Sequence, residues 1–359
     1  MKYSRYSIWI LICAVFLLVS SAAAADSDKQ KRWTVDDLLD DKPRPFVIGH
    51  RGYGENLGEN PDIPIENTVA SVRRAFKEGV SIVEVDVVMT ADQKAVALHD
   101  DFLSDFTCVN TLTFGELKER LPYVPSLKQV LNVAKKYSHK KREKKKYSHK
   151  TQEKDSDRIR GLVNIEVKTP APLCDPDDVT EANLVAAVLR AVRKTKSSEQ
   201  VVIEAFSPAI MAMFSAEAPA IKRNFSINIL QLLSPEEVEA ITGLPVTLID
   251  KNAGFGLQWA ETGVFFRLPG YSSIEEYINV AYATGATLVT LDKLIPFQLE
   301  SMQPSGAALL IGQLHALGFN VTTYTVDTEA EWLFMSAIGI DGIYTNNIPM
   351  GLMLEGSAP

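Results

Sequence analysis

The chain has 359 residues, 46% of them hydrophobic, and a formal net charge of −8. That length fits one large α/β barrel or two ordinary domains, and the apolar fraction permits a substantial core. Residues 1–25 carry +2 through Lys2 and Arg5, so the remainder is about −10, which argues against a general nucleic-acid binder.

In chain order, Lys2 and Arg5 precede the apolar stretch Ile8–Val19, and Ala22–Ala25 offers an A-x-A site before Asp26. This pattern predicts a signal peptide over 1–25 and an exported protein, periplasmic or secreted after cleavage near Ala25. The apolar run is short for a membrane span, so an uncleaved anchor is the lesser reading. Cys13 lacks the preceding small residue of a lipid-anchor site. Residues 26–44 read as an N-terminal extension, and 45–352 as the folded domain.

From Phe46 onward, β-branched runs alternate with amphipathic stretches. The predicted strands are 46–49, 82–88, 162–168, 201–206, 226–232, 287–291, 320–324 and 342–345, and the predicted helices are 68–78, 126–135, 181–194, 208–216, 274–284, 307–317 and 329–338. Gly79, Gly285, Gly318 and Gly339 stand where helices should stop. Eight apolar strands separated by helices predict a TIM (β/α)8 barrel, favoured over an open doubly wound sheet. Residues 95–98 with 87–89 predict a small hairpin after strand 2. Residues 233–272 read as a long loop before strand 6, a candidate wall for a substrate pocket.

Residues 135–144 (KKYSHKKREK) and 145–154 (KKYSHKTQEK) form a tandem repeat with ten Lys or Arg, two Glu and no aliphatic residue. Such a block buries little, so 135–158 reads as a solvated basic loop or frayed helix extension within the barrel. A tolerated surface insertion is the favoured reading, with weak contact to an anionic membrane surface as the alternative. His139 and His149 belong to it and are poor catalytic candidates. Cys108 and Cys174 are two cysteines far apart, and the favoured reading leaves them unpaired.

The chemistry concentrates in short motifs. His50 and Arg51 follow the first strand, Glu84 and Asp86 lie on the second, His99 ends the hairpin, and Glu166 and Lys168 lie on the third. Residues two apart on a strand share a face, so each strand pair points inward together or outward together. Outward, charges would meet an apolar helix layer, which is costly. Inward at the barrel top, they line the usual site of barrel active centres. Glu84, Asp86 and Glu166 make a hard oxygen site for Ca2+ or Mg2+, while Arg51 and Lys168 supply donors for phosphate oxygens. His50 and His99 then divide the base and acid roles. A set of internal salt bridges in a structural core is the competing interpretation. Asn67 opens the first helix, where it serves either as a cap or in the site. His315 reads as a surface or cap residue.

With these residues in place, the chain resembles the glycerophosphodiester phosphodiesterase family. The resemblance rests on His50-Arg51-Gly52, Glu66-Asn67-Thr68, Glu84-x-Asp86, Thr90-x-Asp92, His99-Asp100, Pro125-Ser126-Leu127 and Glu166-x-Lys168, and continues through Phe206-Ser207-Pro208, Tyr324-Thr325-Val326 and Gly339-Ile340-Asp341-Gly342-Ile343. It spans about residues 45–350. It implies a TIM barrel that uses a divalent cation to hydrolyse small glycerophosphodiesters to glycerol 3-phosphate and an alcohol. It also implies His50 and His99 as the acid/base pair, Glu84, Asp86 and Glu166 as metal ligands, and Arg51 and Lys168 on the phosphate. A cyclic phosphate intermediate and direct water attack both stay open. The chain departs from the pattern at Leu103–Thr107, in the longer loop Tyr53–Pro64, and at Thr345-Asn346-Asn347 where the family commonly has Thr-Asp. These departures bear on the pocket rim and on substrate preference. Sphingomyelinase D-like or phospholipase C-like activity is the alternative within the enzyme class, and a non-catalytic binder of phosphodiesters or membrane surfaces the alternative outside it.

Overall fold

The computed structural model describes residues 32–40, 44–140, 160–177, 179–242, 246–250, 254–259, 264–268 and 270–355, without the side chains of 242–269. The signal peptide expected over 1–25 and most of the basic repeat, His149 included, lie outside the described residues. Among the described residues no helix is long and apolar enough to cross a membrane.

Among the described residues there are twelve strands: β1 Phe46–Gly49, β2 Ile82–Met89, β3 Ala95–Ala97, β4 Leu162–Val167, β5 Val201–Ala205, β6 Lys222–Ile227, β7 Val246–Asp250, β8 Gly254–Trp259, β9 Val264–Leu268, β10 Leu288–Asp292, β11 Asn320–Tyr324 and β12 Gly342–Thr345. Eight of them form a parallel ring in the order β1-β2-β4-β5-β6-β10-β11-β12, closed by pairing of β12 with β1, with helices between strands. This is the expected TIM barrel. The expected hairpin is also present, with β3 antiparallel to β2.

The helices form where their apolar spacing and caps coincide. In Val69–Glu78, Val72, Ala75 and Phe76 fall on one buried face, the Thr68 hydroxyl accepts the Ser71 amide, and Gly79 ends the helix at φ 118°. That face joins the outward side of the strands, where Val83, Val85, Val87, Val163 and Ile165 are buried, to make the main core.

The inward faces grade from apolar to charged. At the bottom, Phe46, Ile82, Leu162, Val202 and Leu288 pack beneath Val35 and Leu38 of the N-terminal helix Val35–Leu39. So the extension closes the barrel floor. Above lies a buried polar layer in which Asn164 and Tyr344 bond Glu204, Ser226 also bonds it, and Asn224 reaches Thr290 and Tyr344. The charged residues occupy the top.

Three expectations need correction. The strand expected at 226–232 runs from Lys222 to Ile227, and a 3-10 turn occupies Ile229–Leu232. Its polar start is compatible with a strand because Asn224 bonds inward while the Arg223 guanidinium caps the carbonyls of Thr284 and Gly285 outward. The long loop before strand 6 holds the helix Pro235–Thr242 and an antiparallel sheet β7-β8-β9. Cys108 and Cys174 are joined in a disulfide. The start of the basic repeat takes one of its two expected forms, a helix extension. The helix Leu127–Tyr137 takes in Lys135, His139 bridges Arg32, and Lys140 pairs with Asp37 at 2.7 Å.

Candidate active site

The turn after β1 sets the first half of the site. A Cβ on Gly49 would lie 2.3 Å from the Gly52 carbonyl oxygen, so only glycine permits this close turn. The turn swings Arg51 to φ 48° and aims its amide at Glu84 Oε2, 2.7 Å away. His50 stands at the end of β1, its amide donating to the Thr345 carbonyl across the barrel closure.

Period-two geometry carries Ile82, Glu84 and Asp86 up one face of β2, and Leu162, Asn164, Glu166 and Lys168 up one face of β4. Because Ile82 and Leu162 sit in the floor, the carboxylates point inward at the mouth. The pairing register sets Asp86 beside Glu166. One oxygen each from Glu84, Asp86 and Glu166 lies within 4.8 Å of the others. β3 brings in the second imidazole, since the Leu98 amide donates to the Asp86 carbonyl and leaves His99 one residue beyond.

Charge is tightly interlocked here. Lys168 Nζ lies 2.8 Å from Asp86 Oδ1 and 2.5 Å from Glu166 Oε1. The Arg51 guanidinium bonds Glu66 at 2.8 Å and approaches Glu55 at 3.2 Å and Asp86 at 3.5 Å. Burial would raise Asp86, but Lys168, His99 and Arg51 outweigh it and hold the carboxyl far below the usual range. Glu84 goes the other way, raised by burial and by the charges of Asp86 and Glu166. Among the described residues its Oε1 is buried without a partner, an acceptor that is costly to leave unmade. Three hard oxygens around an unsatisfied acceptor fit a divalent cation, which Glu84, Asp86 and Glu166 could hold.

Both imidazoles interact electrostatically with Asp86, which brings them to the same acidic site. His99 Nδ1 pairs with Asp100 Oδ1 at 2.8 Å. His50 Nδ1 bonds Asn346 Oδ1 at 2.8 Å. The sense of that amide is fixed by Asp327, which accepts the Asn346 backbone amide at 2.7 Å and its Nδ2 at 3.0 Å. Asn346 therefore presents oxygen to His50, so Nδ1 is the donor and Nε2 keeps its lone pair. Burial, then Arg51, lowers the His50 pKa below its ordinary value.

The predicted site residues His50, Arg51, Glu84, Asp86, His99, Glu166 and Lys168 all lie at this mouth. Asn67 is a site residue and Thr68 is the helix cap. Asn67 Nδ2 donates to Asp86 Oδ2 at 2.8 Å, and its Oδ1 accepts the Asp86 amide at 3.0 Å. Glu66 holds Arg51. His315 is exposed, as the surface reading expected, and its Nε2 also bonds Asp341, which pairs with Arg44 where β12 begins at the opposite barrel end. Sequence reasoning missed Asn346 as the partner of His50, and Asp327 as the residue that holds Asn346. The only signal was the unusual Asn346, noted as a departure.

Residues 50–257 match the model of the glycerophosphoryl diester phosphodiesterase family. A glycerophosphodiester phosphodiesterase of Caldanaerobacter subterraneus is 26% identical over 322 residues, covering 85% of this chain and 95% of that protein. A chloroplastic one of Arabidopsis thaliana is 38% identical over 61 residues, 16% of this chain and 17% of the relative. A glycerophosphocholine phosphodiesterase of Eremothecium gossypii is 43% identical over 60 residues, 16% of this chain and 4% of the relative, so the chain spans only a small part of these last two. Among solved structures, a glycerophosphoryl diester phosphodiesterase of Silicibacter pomeroyi superposes with a TM-score of 0.60 at 19% identity, covering 90% of this chain and 97% of the other. A phosphodiesterase of Oleispira antarctica, solved with its product sn-glycerol-3-phosphate, gives 0.55 at 18% identity over 86% and 97%. At these identities the superpositions show a shared barrel, and the family match covers more than half of the chain. The chain belongs to the glycerophosphoryl diester phosphodiesterase family.

Proposed function

We propose that this protein is an exported, divalent-cation-dependent phosphodiesterase that hydrolyses glycerophosphodiesters to glycerol 3-phosphate and an alcohol. The observation that carries this reading is the pair of imidazoles beside a three-carboxylate cluster in which one buried oxygen has no partner. A Ca2+ or Mg2+ ion on Glu84, Asp86 and Glu166 would neutralise phosphate charge and polarise the phosphoryl group. Arg51 and Lys168 orient the phosphate oxygens, with Arg51 itself fixed by Glu66. His50, neutral and with its Nε2 lone pair exposed by the Asn346 bond, takes a proton from the attacking hydroxyl. His99, oriented by Asp100, delivers a proton to the departing alcohol oxygen. The attacking hydroxyl belongs either to water or to the substrate glycerol, and both routes use these roles.

The test is turnover of glycerophosphocholine, glycerophosphoethanolamine, glycerophosphoglycerol and glycerophosphoinositol by the parent, His50→Ala and His99→Ala proteins. Each variant should fold normally by circular dichroism and lose about 10²-fold or more in kcat, as removal of a positioned acid or base does. Full activity in either variant refutes the assignment of that histidine.

A further inference from the structure

The disulfide lies between the two loops that deliver the chemistry. Cys108 belongs to the loop that begins at His99, and Cys174 to the loop that follows Lys168. Polar contacts reinforce the same junction. Asp101 Oδ2 accepts the Ala171 amide at 2.8 Å, and its backbone oxygen accepts the Val109 amide at 2.8 Å and lies 3.6 Å from Cys174 Sγ. Asn110 Nδ2 donates to the Cys174 carbonyl at 2.6 Å, and Phe102 bridges Cys108 within the first loop. Beyond Cys174, the Asp175 carboxylate accepts the amides of Val179 and Thr180, locking the second loop onto the helix Glu181–Thr195.

His99 has no comparable anchor of its own. Its side chain is 34% exposed, and among the described residues it hydrogen-bonds only Asp100, the next residue on the same loop. The loop's tip is a tight turn in which Phe106 takes φ 62° and is 40% exposed. The hydrogen bond to Asp101, two residues past His99, and the covalent tie at Cys108 hold this loop against the loop that follows β4.

We propose that Cys108, Cys174 and Asp101 are positioning residues that hold His99 at the acidic site, so that full activity requires oxidation of the thiol pair. This rests on the reading of His99 as the proton donor to the leaving alcohol. Bridge formation joins the two sulfurs and releases two protons and two electrons. Oxidised glutathione can accept them, leaving as two glutathione thiols. A protein made with both thiols reduced would gain its working His99 loop on entering an oxidising compartment, which agrees with the exported location proposed above.

The experiment compares two substrates on the full chain. Glycerophosphocholine has an alcohol leaving group that needs a proton, whereas glycerol 3-(p-nitrophenyl phosphate) releases a phenolate that does not. The Cys108→Ser/Cys174→Ser protein should lose at least tenfold in kcat on the choline diester, with less than a threefold change on the nitrophenyl diester. Parent protein reduced with dithiothreitol should show the same selective loss and recover with oxidised glutathione, while the double variant responds to neither. Asp101→Ala, which keeps the bridge, should show a smaller loss of the same selectivity, restored in Asp101→Asn because the amide oxygen still accepts from Ala171. Unchanged choline-diester turnover in the double variant, or equal losses on both substrates, overturns the proposal. His99→Ala is the control: if it lacks the leaving-group selectivity, the proton-donor role fails, and if it has the selectivity while the bridge variants do not, the bridge inference alone fails.

Discussion

Asn67 offers the sharpest quantitative test of how the site is built. The residue is 3% exposed at φ 54°, and its side chain spans Asp86, donating to the carboxylate and accepting from the amide. Asn67→Ala removes a bond to a charged group, about 1.5–3 kcal/mol, and leaves the Asp86 amide unsatisfied in a buried place, about 1–3 kcal/mol. Alanine in the left-handed region adds roughly 1–2 kcal/mol. Asn67→Gly makes the same deletion without that backbone cost. Urea unfolding should therefore show both variants destabilised by at least about 2 kcal/mol, with alanine worse than glycine by about 1 kcal/mol. With Asp86 as one of the three proposed metal ligands, the half-saturating concentration of Ca2+ or Mg2+ should rise about 10–100-fold, the usual effect of losing a residue that orients a ligand. An alanine variant within about 0.5 kcal/mol of the parent, with an unchanged cation requirement, would make Asn67 a turn residue and refute this account of the site.

Three further outcomes follow from the same geometry. Asn346→Ala should lower kcat about 10–100-fold with native circular dichroism and little change in KM, since it frees the His50 ring; Asp327→Ala should give a smaller loss of the same kind. An equal rise in KM would point instead to substrate contact. Glu204 is raised from 4.5 to about 7 by burial and then by Glu166. The folded state thus binds its proton more tightly than the unfolded chain, and this contribution is complete below about pH 4.5 and lost as pH rises towards 7. Glu204→Gln should be close to the parent near pH 4.5 and more stable by up to about 3 kcal/mol at pH 8, read from urea midpoints. Equal effects at both pH values would contradict the raised carboxyl. Val35→Asp should destabilise the protein by about 2–4 kcal/mol in thermal or urea unfolding, because it puts a charge into the apolar floor.

The barrel was legible because its signals are local. β-branched strands, amphipathic helices and the terminal glycines each show themselves within a few residues, and Gly79, Gly285, Gly318 and Gly339 do take positive φ. The charged motifs were legible for a related reason: a carboxylate two residues from another on an apolar strand is expensive unless both face one polar mouth. What escaped was non-local. Asn346 and Asp327 reach His50 only because β12 closes against β1, nearly three hundred residues away in sequence. The disulfide joins loops 66 residues apart with no local pattern to announce it. Asn67 was ambiguous because its neighbour Thr68 can cap the helix as well, and only the pairing with Asp86 separates the two roles. The polar start of β6 was misread because strands here were expected to be apolar throughout, whereas the middle layer of this barrel is hydrogen-bonded polar side chains.

Cation-dependent cleavage at the three-carboxylate mouth is the central property proposed for this protein. Phosphorus NMR of glycerophosphocholine with the purified protein should show conversion to glycerol 3-phosphate, arrest on adding excess chelator, and resumption when Ca2+ or Mg2+ is restored, with no resumption in a Glu84→Gln/Glu166→Gln protein. Cleavage that continues at full rate in chelator, or that survives loss of both carboxylates, would contradict it.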